Sequence, residues 1–161
     1  MTGDLFNEVY GVFVMCGFAG YVACGSDDPW IGTRTKVSAE ARQKALNTIQ
    51  NRGPDAEGQW QDRFIWLGHR RLSIVDTTSR GNQPMEYGNS VIAFNGMIYN
   101  YRDIRQTLNQ KGYRFHTDTD TEVLLAGWAE WGQDLLPRLQ GMFAFALWDK
   151  TTKRLILARD R

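Results

Sequence analysis

The sequence predicts an α+β domain with mostly antiparallel sheets. Short segments of β-branched and aromatic residues lie between turn residues, as is typical of strands, and helical segments lie among them. Near the end, residues 142–148 and 155–159 flank a polar stretch at 149–153, which indicates a β-hairpin. Hairpin strands with helices between them favour an α+β arrangement.

Three helices are expected. The first begins at the cap Ser38 and runs to about residue 50, and the second begins at the cap Asn100 and is stopped by Gly112. The third spans 120–131 and opens with a capping box at 119–122. Strands are expected at 58–61, 64–67, 71–75, 90–95, 142–148 and 155–159.

Composition and charge exclude several classes of function. The chain has 161 residues, 42% of them hydrophobic, and its 19 Lys and Arg nearly balance 18 Asp and Glu, for a net charge of +1. No basic excess remains to attract nucleic-acid phosphates. Two cysteines cannot form a disulfide framework, and with two histidines they are too few and too scattered for a zinc site, so we expect no metal. The expected location is the cytoplasm.

One uncharged run, residues 9–25, raises the alternative of an exported or lipid-anchored protein. A membrane helix needs about 20 predominantly apolar residues, and a signal peptide needs a positive first segment. Asp4 and Glu8 precede this run, and no Lys or Arg occurs before Arg34. Its Val, Phe and Tyr, interrupted by glycines, favour a buried strand instead.

Cys16 is the first candidate for chemistry. If the chain began at Cys16, one residue would supply a thiol and a free α-amine, and an amine with a pKa of about 7.7–8.0 can serve as the base that a nucleophile needs. Taken alone, Cys16 also fits a small buried core residue.

Six segments, taken together and in order, resemble the glutamine amidotransferase domain of glutamine-hydrolysing asparagine synthetases. They are MCGFAG at 15–20, RGPD at 52–55, GHRRLSI at 68–74, FNGMIYN at 94–100, TDTE at 119–122 and LQGMFAFALWD at 139–149. The resemblance implies the four-layer αββα sandwich of N-terminal-nucleophile hydrolases, with two antiparallel sheets face to face between helix layers. It also implies that Cys16 attacks the side-chain amide of glutamine, releases ammonia for asparagine biosynthesis and forms a thioester that water hydrolyses.

The resemblance further implies individual roles. Asn95, through its side-chain amide, and Gly96, through its backbone N–H, would form the oxyanion hole. Arg71 would bind the α-carboxylate of the substrate, as the planar guanidinium suits a carboxylate. Asp120 would receive the α-ammonium group.

Two further positions, Arg52 and Met97, complete the expected site. Arg52 would support the nucleophile, and His69 and His116 are expected to be structural. Met97 stands where the family usually has Glu. We expect this substitution to lower the affinity for glutamine or to shift specificity, since a carboxylate near the substrate amine is missing.

The resemblance also sets the expected organisation. Residues 1–15 are interpreted as an extension or a mis-assigned start, and 16–161 as a type 2 glutamine amidotransferase domain that is incomplete at its C-terminus, with no synthetase domain. The expected partners are glutamine and a synthetase domain or chain that receives ammonia; nucleic acid and membranes are not expected. No cofactor is expected here, since ATP and Mg would belong to the synthetase domain. The alternative is an inactive glutamine-binding remnant whose Cys16 is not exposed as the N-terminus.

Overall fold

A computed structural model of the chain describes residues 11–15, 17–22, 37–73 and 78–161. The strands are β1 Gly11–Met15, β2 Phe18–Val22, β3 Ala56–Gln61, β4 Ile65–Arg71, β5 Met85–Tyr87, β6 Ser90–Ile98, β7 Gly141–Asp149 and β8 Arg154–Arg159. The α-helices are α1 Ala39–Thr48, α2 Tyr101–Gln110 and α3 Asp120–Trp131. Short 3₁₀ turns lie at Gln50–Arg52, Ser79–Gly81 and Gly132–Arg138.

The strands form two four-stranded sheets. The first sheet has the order β1-β2-β4-β3 and the second has the order β5-β6-β7-β8. Every neighbouring pair is antiparallel. The predicted α+β class with antiparallel sheets is therefore confirmed, as is the predicted β7–β8 hairpin.

The two sheets pack face to face through one apolar layer. Side chains alternate across a strand, so Ile65 and Leu67 of β4 share a face, and they meet Ala93, Ala146 and Trp148 of the second sheet. Burying such side chains against each other is the main term that holds two sheets together.

Helices cover both outer faces. Leu46 of α1 packs with Trp66 on the outer face of the first sheet. On the outer face of the second sheet, Leu108 of α2 and Leu124 of α3 pack with Phe145. The order helix, sheet, sheet, helix confirms the four-layer αββα sandwich.

The three predicted helices form, with two differences: α1 ends at Thr48 rather than at about residue 50, and the predicted cap of α2 does not form. Ser38 caps α1 by accepting the Ala41 N–H at 3.2 Å, as predicted. Asn100 precedes α2 but makes no side-chain cap; instead it donates Nδ2–H to the Arg138 carbonyl at 2.9 Å and accepts the Gln140 N–H at 3.0 Å. The Asn100 amide therefore joins the start of α2 to the segment before β7.

Two strand predictions need correction. The predicted strand at 71–75 is wrong, since β4 runs through residues 65–71 and ends at Arg71; residues 74–77 lie outside the described residues. The strand β5 was not predicted, because its three residues carry too short a pattern. The uncharged run, expected to be a buried strand, contributes two strands, β1 and β2, while residues 9–10, Cys16 and residues 23–25 lie outside the described residues. No helix among the described residues is long and apolar enough to cross a membrane.

Candidate active site

A cavity of about 850 Å³ opens at one end of the layer between the sheets. On β4 the apolar inner positions give way to His69 and Arg71, and on β6 they give way to Asn95 and Met97. Polar side chains thus take over where the two sheets stop packing against each other. The apolar layer between the sheets therefore borders the cavity on its inner side.

The predicted site residues that the structure describes all line this cavity. They are Arg52, Arg71, Asn95, Gly96, Met97 and Asp120. The predicted nucleophile, Cys16, lies outside the described residues. Among the described residues, no three His, Cys, Asp or Glu side chains could hold a metal ion together.

Beyond β5, no strand of the described part of the chain pairs with the edge of β6 that faces the cavity. Tyr99, which follows β6, donates its N–H to the Gln140 carbonyl at 2.7 Å. By the alternation of an antiparallel ladder, the backbone N–H and carbonyl groups of the odd-numbered residues of β6 point toward β7, and those of the even-numbered residues point toward the opposite edge. At that edge β5 pairs only with residues 90–92. Side chains serve the next peptide groups: Gln83 Oε1 accepts the Phe94 N–H at 2.6 Å, and Asp120 Oδ2 accepts the Ile98 N–H at 2.9 Å.

Gly96 lies between these two positions on the same edge. By the alternation of the ladder its N–H points away from β7, and within the described part of the chain it has no hydrogen-bond acceptor. Its φ is +136°, and a Cβ on it would overlap the Met142 carbonyl and lie 2.6 Å from Phe143 Cα. Only glycine fits here. The N–H of Gly96 is therefore a fixed donor on the cavity wall.

Asn95 places its side chain beside the residue that follows Cys16 in sequence. A Cβ built on Gly17 would lie 3.2 Å from Asn95 Oδ1. Gly17 has a φ of +93°, and its carbonyl accepts the Arg70 N–H at 2.8 Å. The start of β2 therefore lies beside Asn95 on β6.

Arg71 is buried, with 8% of its surface exposed, and is not a solvated charge at a strand edge. Its Nη1 donates to the Thr78 carbonyl at 2.7 Å and to Asn82 Oδ1 at 2.9 Å. The guanidinium also packs so closely on Gly81 that a Cβ there would overlap it. The loop at 78–82 therefore fixes this cation at the cavity wall.

Asp120 begins α3 and is 7% exposed. Burial raises the pKa of its carboxyl, and the backbone N–H groups of Ile98, Asp120 and Thr121 act in the opposite direction. Because its ionised form is poorly solvated, a cation in the cavity would stabilise it. This carboxylate is suited to receive an ammonium group.

The capping box that precedes Asp120 forms only in half. Thr119 Oγ1 accepts the Glu122 N–H at 3.2 Å, as predicted. The Glu122 carboxylate, however, accepts the backbone N–H groups of His116 at 2.9 Å and Thr117 at 2.7 Å rather than that of Thr119. Glu122 thus fixes the turn before α3 and, through it, the position of Asp120.

His69 and Gln83 are lining residues to which the sequence assigned no role in the site. His69 is 4% exposed, with Nε2 3.0 Å from the Phe94 carbonyl oxygen. Burial is the main reason that the pKa of His69 falls to about 4. Extending the strand pattern of β4 through residue 71 would have placed His69 and Arg71 on one face; no local signal marks Gln83, whose partner is on β6.

Met97 faces the cavity from the same side of β6 as Asn95 and is 37% exposed. Asp120 and Asp160 are the acidic residues among the described lining residues. Position 97 supplies no carboxylate, and of these two lining acids Asp120 is the buried one.

Comparison with known proteins identifies the family. Residues 15–161 match the family model of the glutamine amidotransferase domain. The chain is 41% identical over 148 residues to asparagine synthetase [glutamine-hydrolyzing] 1 of Bacillus subtilis, covering 91% of this chain and 22% of that relative. It is 35% identical over 153 residues to amidase chry2 of Gibberella zeae, covering 91% of this chain and 23% of that relative.

Among solved structures, the chain is similar to the glutamine phosphoribosylpyrophosphate amidotransferase of B. subtilis. The TM-score is 0.50 at 28% identity, over 60% of this chain and 23% of that one. The chain spans less than a quarter of the length of these relatives. Since the family model covers nearly the whole sequence and the αββα layers agree with it, the chain belongs to the glutamine amidotransferase domain family.

Proposed function

We propose that this chain hydrolyses glutamine, with Cys16 as an N-terminal nucleophile, and that the ammonia serves an asparagine-synthetase-type amidation. One observation carries the proposal: a single cavity combines the outward N–H of Gly96 and the Asn95 amide with the anchored Arg71 and the buried Asp120. Such a cavity offers donors for an oxyanion and one opposite charge for each pole of an amino acid.

Substrate binding in this proposal is electrostatic at the α-carbon end. The guanidinium of Arg71 binds the α-carboxylate with two parallel N–H donors, and Asp120 binds the α-ammonium. Both groups are largely shielded from water, at 8% and 7% exposure, so their contacts with a charged ligand are stronger than at the surface. The amide end of glutamine then lies toward Asn95 and Gly96.

The chemistry follows from the N-terminal position of the nucleophile. The α-amine of Cys16 takes the thiol proton, and the sulfur attacks the side-chain carbonyl carbon of glutamine. The carbonyl oxygen becomes an oxyanion that accepts bonds from Asn95 Nδ2–H and the Gly96 N–H, each donor being worth about 10²–10³ in kcat. When this tetrahedral intermediate collapses, its C–N bond breaks, and the leaving nitrogen takes the proton from the α-amine of Cys16 and departs as ammonia. Water then hydrolyses the thioester to glutamate and restores the thiol.

This chemistry requires that Cys16 be the first residue. In the full 161-residue chain the α-nitrogen of Cys16 is part of a peptide bond and cannot act as a base. Residues Gly11–Met15 form β1, the edge strand of the first sheet. Removal of this edge strand leaves β2, β4 and β3 paired. Asn95 and Gly96 lie on β6 of the second sheet, so the processed chain keeps both proposed donors.

The ammonia acceptor is proposed from the relatives. Several of them are named as glutamine-hydrolysing asparagine synthetases, and this chain matches 22% of the length of the first. A synthetase domain or chain would receive the ammonia, and ATP and Mg would act there. Glutamine is the substrate proposed for the present domain.

Intact-mass measurement followed by an ammonia assay tests the proposal. The purified active protein should have a mass that starts at Cys16, and it should release ammonia from glutamine but not from asparagine, whose side chain is one methylene shorter. A chain that retains residues 1–15 and still hydrolyses glutamine would contradict the role of the α-amine. A chain that retains residues 1–15 and releases no ammonia would support the inactive glutamine-binding remnant, and a processed chain that releases none would contradict the proposed hydrolysis.

A further inference from the structure

His69 reaches from one sheet to the other at the base of the cavity. It lies on the inner face of β4, and its Nε2 is 3.0 Å from the carbonyl oxygen of Phe94 on β6. A carbonyl oxygen can only accept, so Nε2 carries the proton and donates it. In the neutral ring Nδ1 then has no proton, and it is buried with no hydrogen-bond partner among the residues that the structure describes.

The hydrogen bond from His69 holds the peptide group between Phe94 and Asn95, immediately before the two proposed donors, Asn95 and Gly96. The carbonyl of Phe94 and the N–H of Asn95 belong to one planar peptide unit, so fixing the oxygen fixes the plane. On the other side of the same residue, Gln83 Oε1 accepts the Phe94 N–H at 2.6 Å. Both peptide groups of Phe94 on the open edge of β6 are thus held by side chains from outside β6.

The surroundings of His69 keep this bond strong. The side chain is 4% exposed, so water does not compete for the Phe94 carbonyl. Burial, and to a smaller extent the nearby Arg71 cation, lowers the pKa of the His69 ring, which keeps Nε2–H as a neutral donor at working pH. His69 therefore supplies geometry at the cavity and no charge.

We infer that His69 is a positioning residue for glutamine hydrolysis: its bond to the Phe94 carbonyl orients the Asn95 amide and the Gly96 N–H toward the oxyanion. This inference rests on the proposed function, but the bond and its effect on Gly96 can be measured without turnover. The oxyanion donors act only when they are already aligned in the free protein.

Substitutions of the two histidines separate positioning from general stability. In His69→Gln the side-chain amide nitrogen stands as many bonds from Cα as Nε2 does, so it can still donate to Phe94. In His69→Asn the donor is too short to reach. His116→Asn is the matched control, because His116 is exposed and outside the cavity lining.

We expect His69→Asn to lower kcat for ammonia release by about 10²-fold with KM for glutamine nearly unchanged, since misplaced catalytic groups cost this much. His69→Gln should recover most of kcat, and His116→Asn should match the wild type. Equal kcat values for His69→Asn and His69→Gln, or for His69→Asn and His116→Asn, would overturn the inference.

Two NMR measurements do not depend on activity or on the folding of His69→Asn. In the wild-type chain the ¹⁵N shifts of the His69 ring should show Nε2 protonated and Nδ1 unprotonated; the reverse tautomer would overturn the inference. The second measurement is the rate at which the Gly96 amide proton exchanges with solvent. Relative to the wild type, this rate should change less in His69→Gln than in His69→Leu. If the wild type releases no ammonia but these results hold, the proposed function fails while the positioning bond stands.

Discussion

The carboxylate of Asp120 accepts the backbone N–H of Ile98 at 2.9 Å, two residues beyond Gly96 on the same open edge of β6. This bond connects the first turn of α3 to β6, the strand that carries Asn95 and Gly96. The acid that would receive an ammonium group and the N–H that would stabilise an oxyanion therefore sit at a fixed separation. Glutamine has its α-amine and its side-chain amide at opposite ends, so this separation would select for its length.

Replacement of Asp120 by Asn should weaken glutamine binding without loosening the fold. The Asn side-chain oxygen can still accept the Ile98 N–H, while the charge that meets the ammonium is gone. We expect KM for glutamine to rise about 10- to 100-fold, as charge-assisted hydrogen bonds are worth roughly 1.5–3 kcal/mol. Asp103→Asn, an exposed acid in the first turn of α2, is the control. A KM that is unchanged in Asp120→Asn would exclude contact with the amine.

The raised pKa of Asp120 predicts two pH effects. Burial lifts the folded-state pKa above its ordinary value of 3.8, so the folded chain binds more protons than the unfolded chain between the two values. The free energy of unfolding contributed by Asp120 is therefore greatest below the unfolded-state pKa and decreases as pH rises through the folded-state pKa. Over the same interval KM for glutamine should rise as pH falls, because a protonated Asp120 cannot pair with an ammonium.

Denaturant unfolding and KM measured across the acid range check these effects. Asp120→Asn should lose the contribution of residue 120 to both pH dependences, since its side chain does not titrate. If wild-type and Asp120→Asn curves ran parallel from pH 3 to pH 7, Asp120 would not titrate as the structure requires.

Asn95→Ala should remove one of the two proposed oxyanion donors. We expect kcat for ammonia release to fall about 10²–10³-fold, equivalent to roughly 2.7–4 kcal/mol of barrier, with a smaller change in KM. Asn89→Ala is the matched control, because Asn89 is exposed in the turn between β5 and β6 and its carbonyl bond to Lys150 is unaffected by the substitution. A loss in KM alone would assign Asn95 to substrate binding instead.

Met97→Glu should restore a carboxylate on the wall that carries Asn95. If position 97 faces the substrate amine, KM for glutamine should fall by about tenfold, the effect of a contact worth 1.4 kcal/mol. Leu157→Glu adds the same charge at an exposed position of β8 outside the cavity lining. An equal effect of both substitutions would mean that only net charge matters, and no effect of Met97→Glu would place the amine elsewhere.

Local patterns predicted the parts of the fold that depend on local chemistry. Ser38 caps α1, and α3 spans the predicted residues 120–131. In each case the cap and the helix are a few residues apart in sequence. The β7–β8 hairpin was predicted for the same reason.

Features that depend on distant partners were not predicted. Asn100 looks like a helix cap, but its amide binds residues 138 and 140 instead. Glu122 completes no capping box because the backbone at 116 and 117 competes for its carboxylate. Gln83 and His69 join the site because β5 pairs only with residues 90–92, so the N–H and carbonyl of Phe94 on that edge bond to these two side chains, which no local pattern reveals.

The most direct test of the central claim is ammonia release from glutamine by the chain that begins at Cys16, compared with Cys16→Ala and with Cys24→Ala. Cys16→Ala should abolish ammonia release, because both the nucleophilic sulfur and the thioester are lost. Cys24→Ala should retain it. Ammonia release that survives Cys16→Ala, at a rate near that of the unsubstituted chain, would contradict the proposed mechanism.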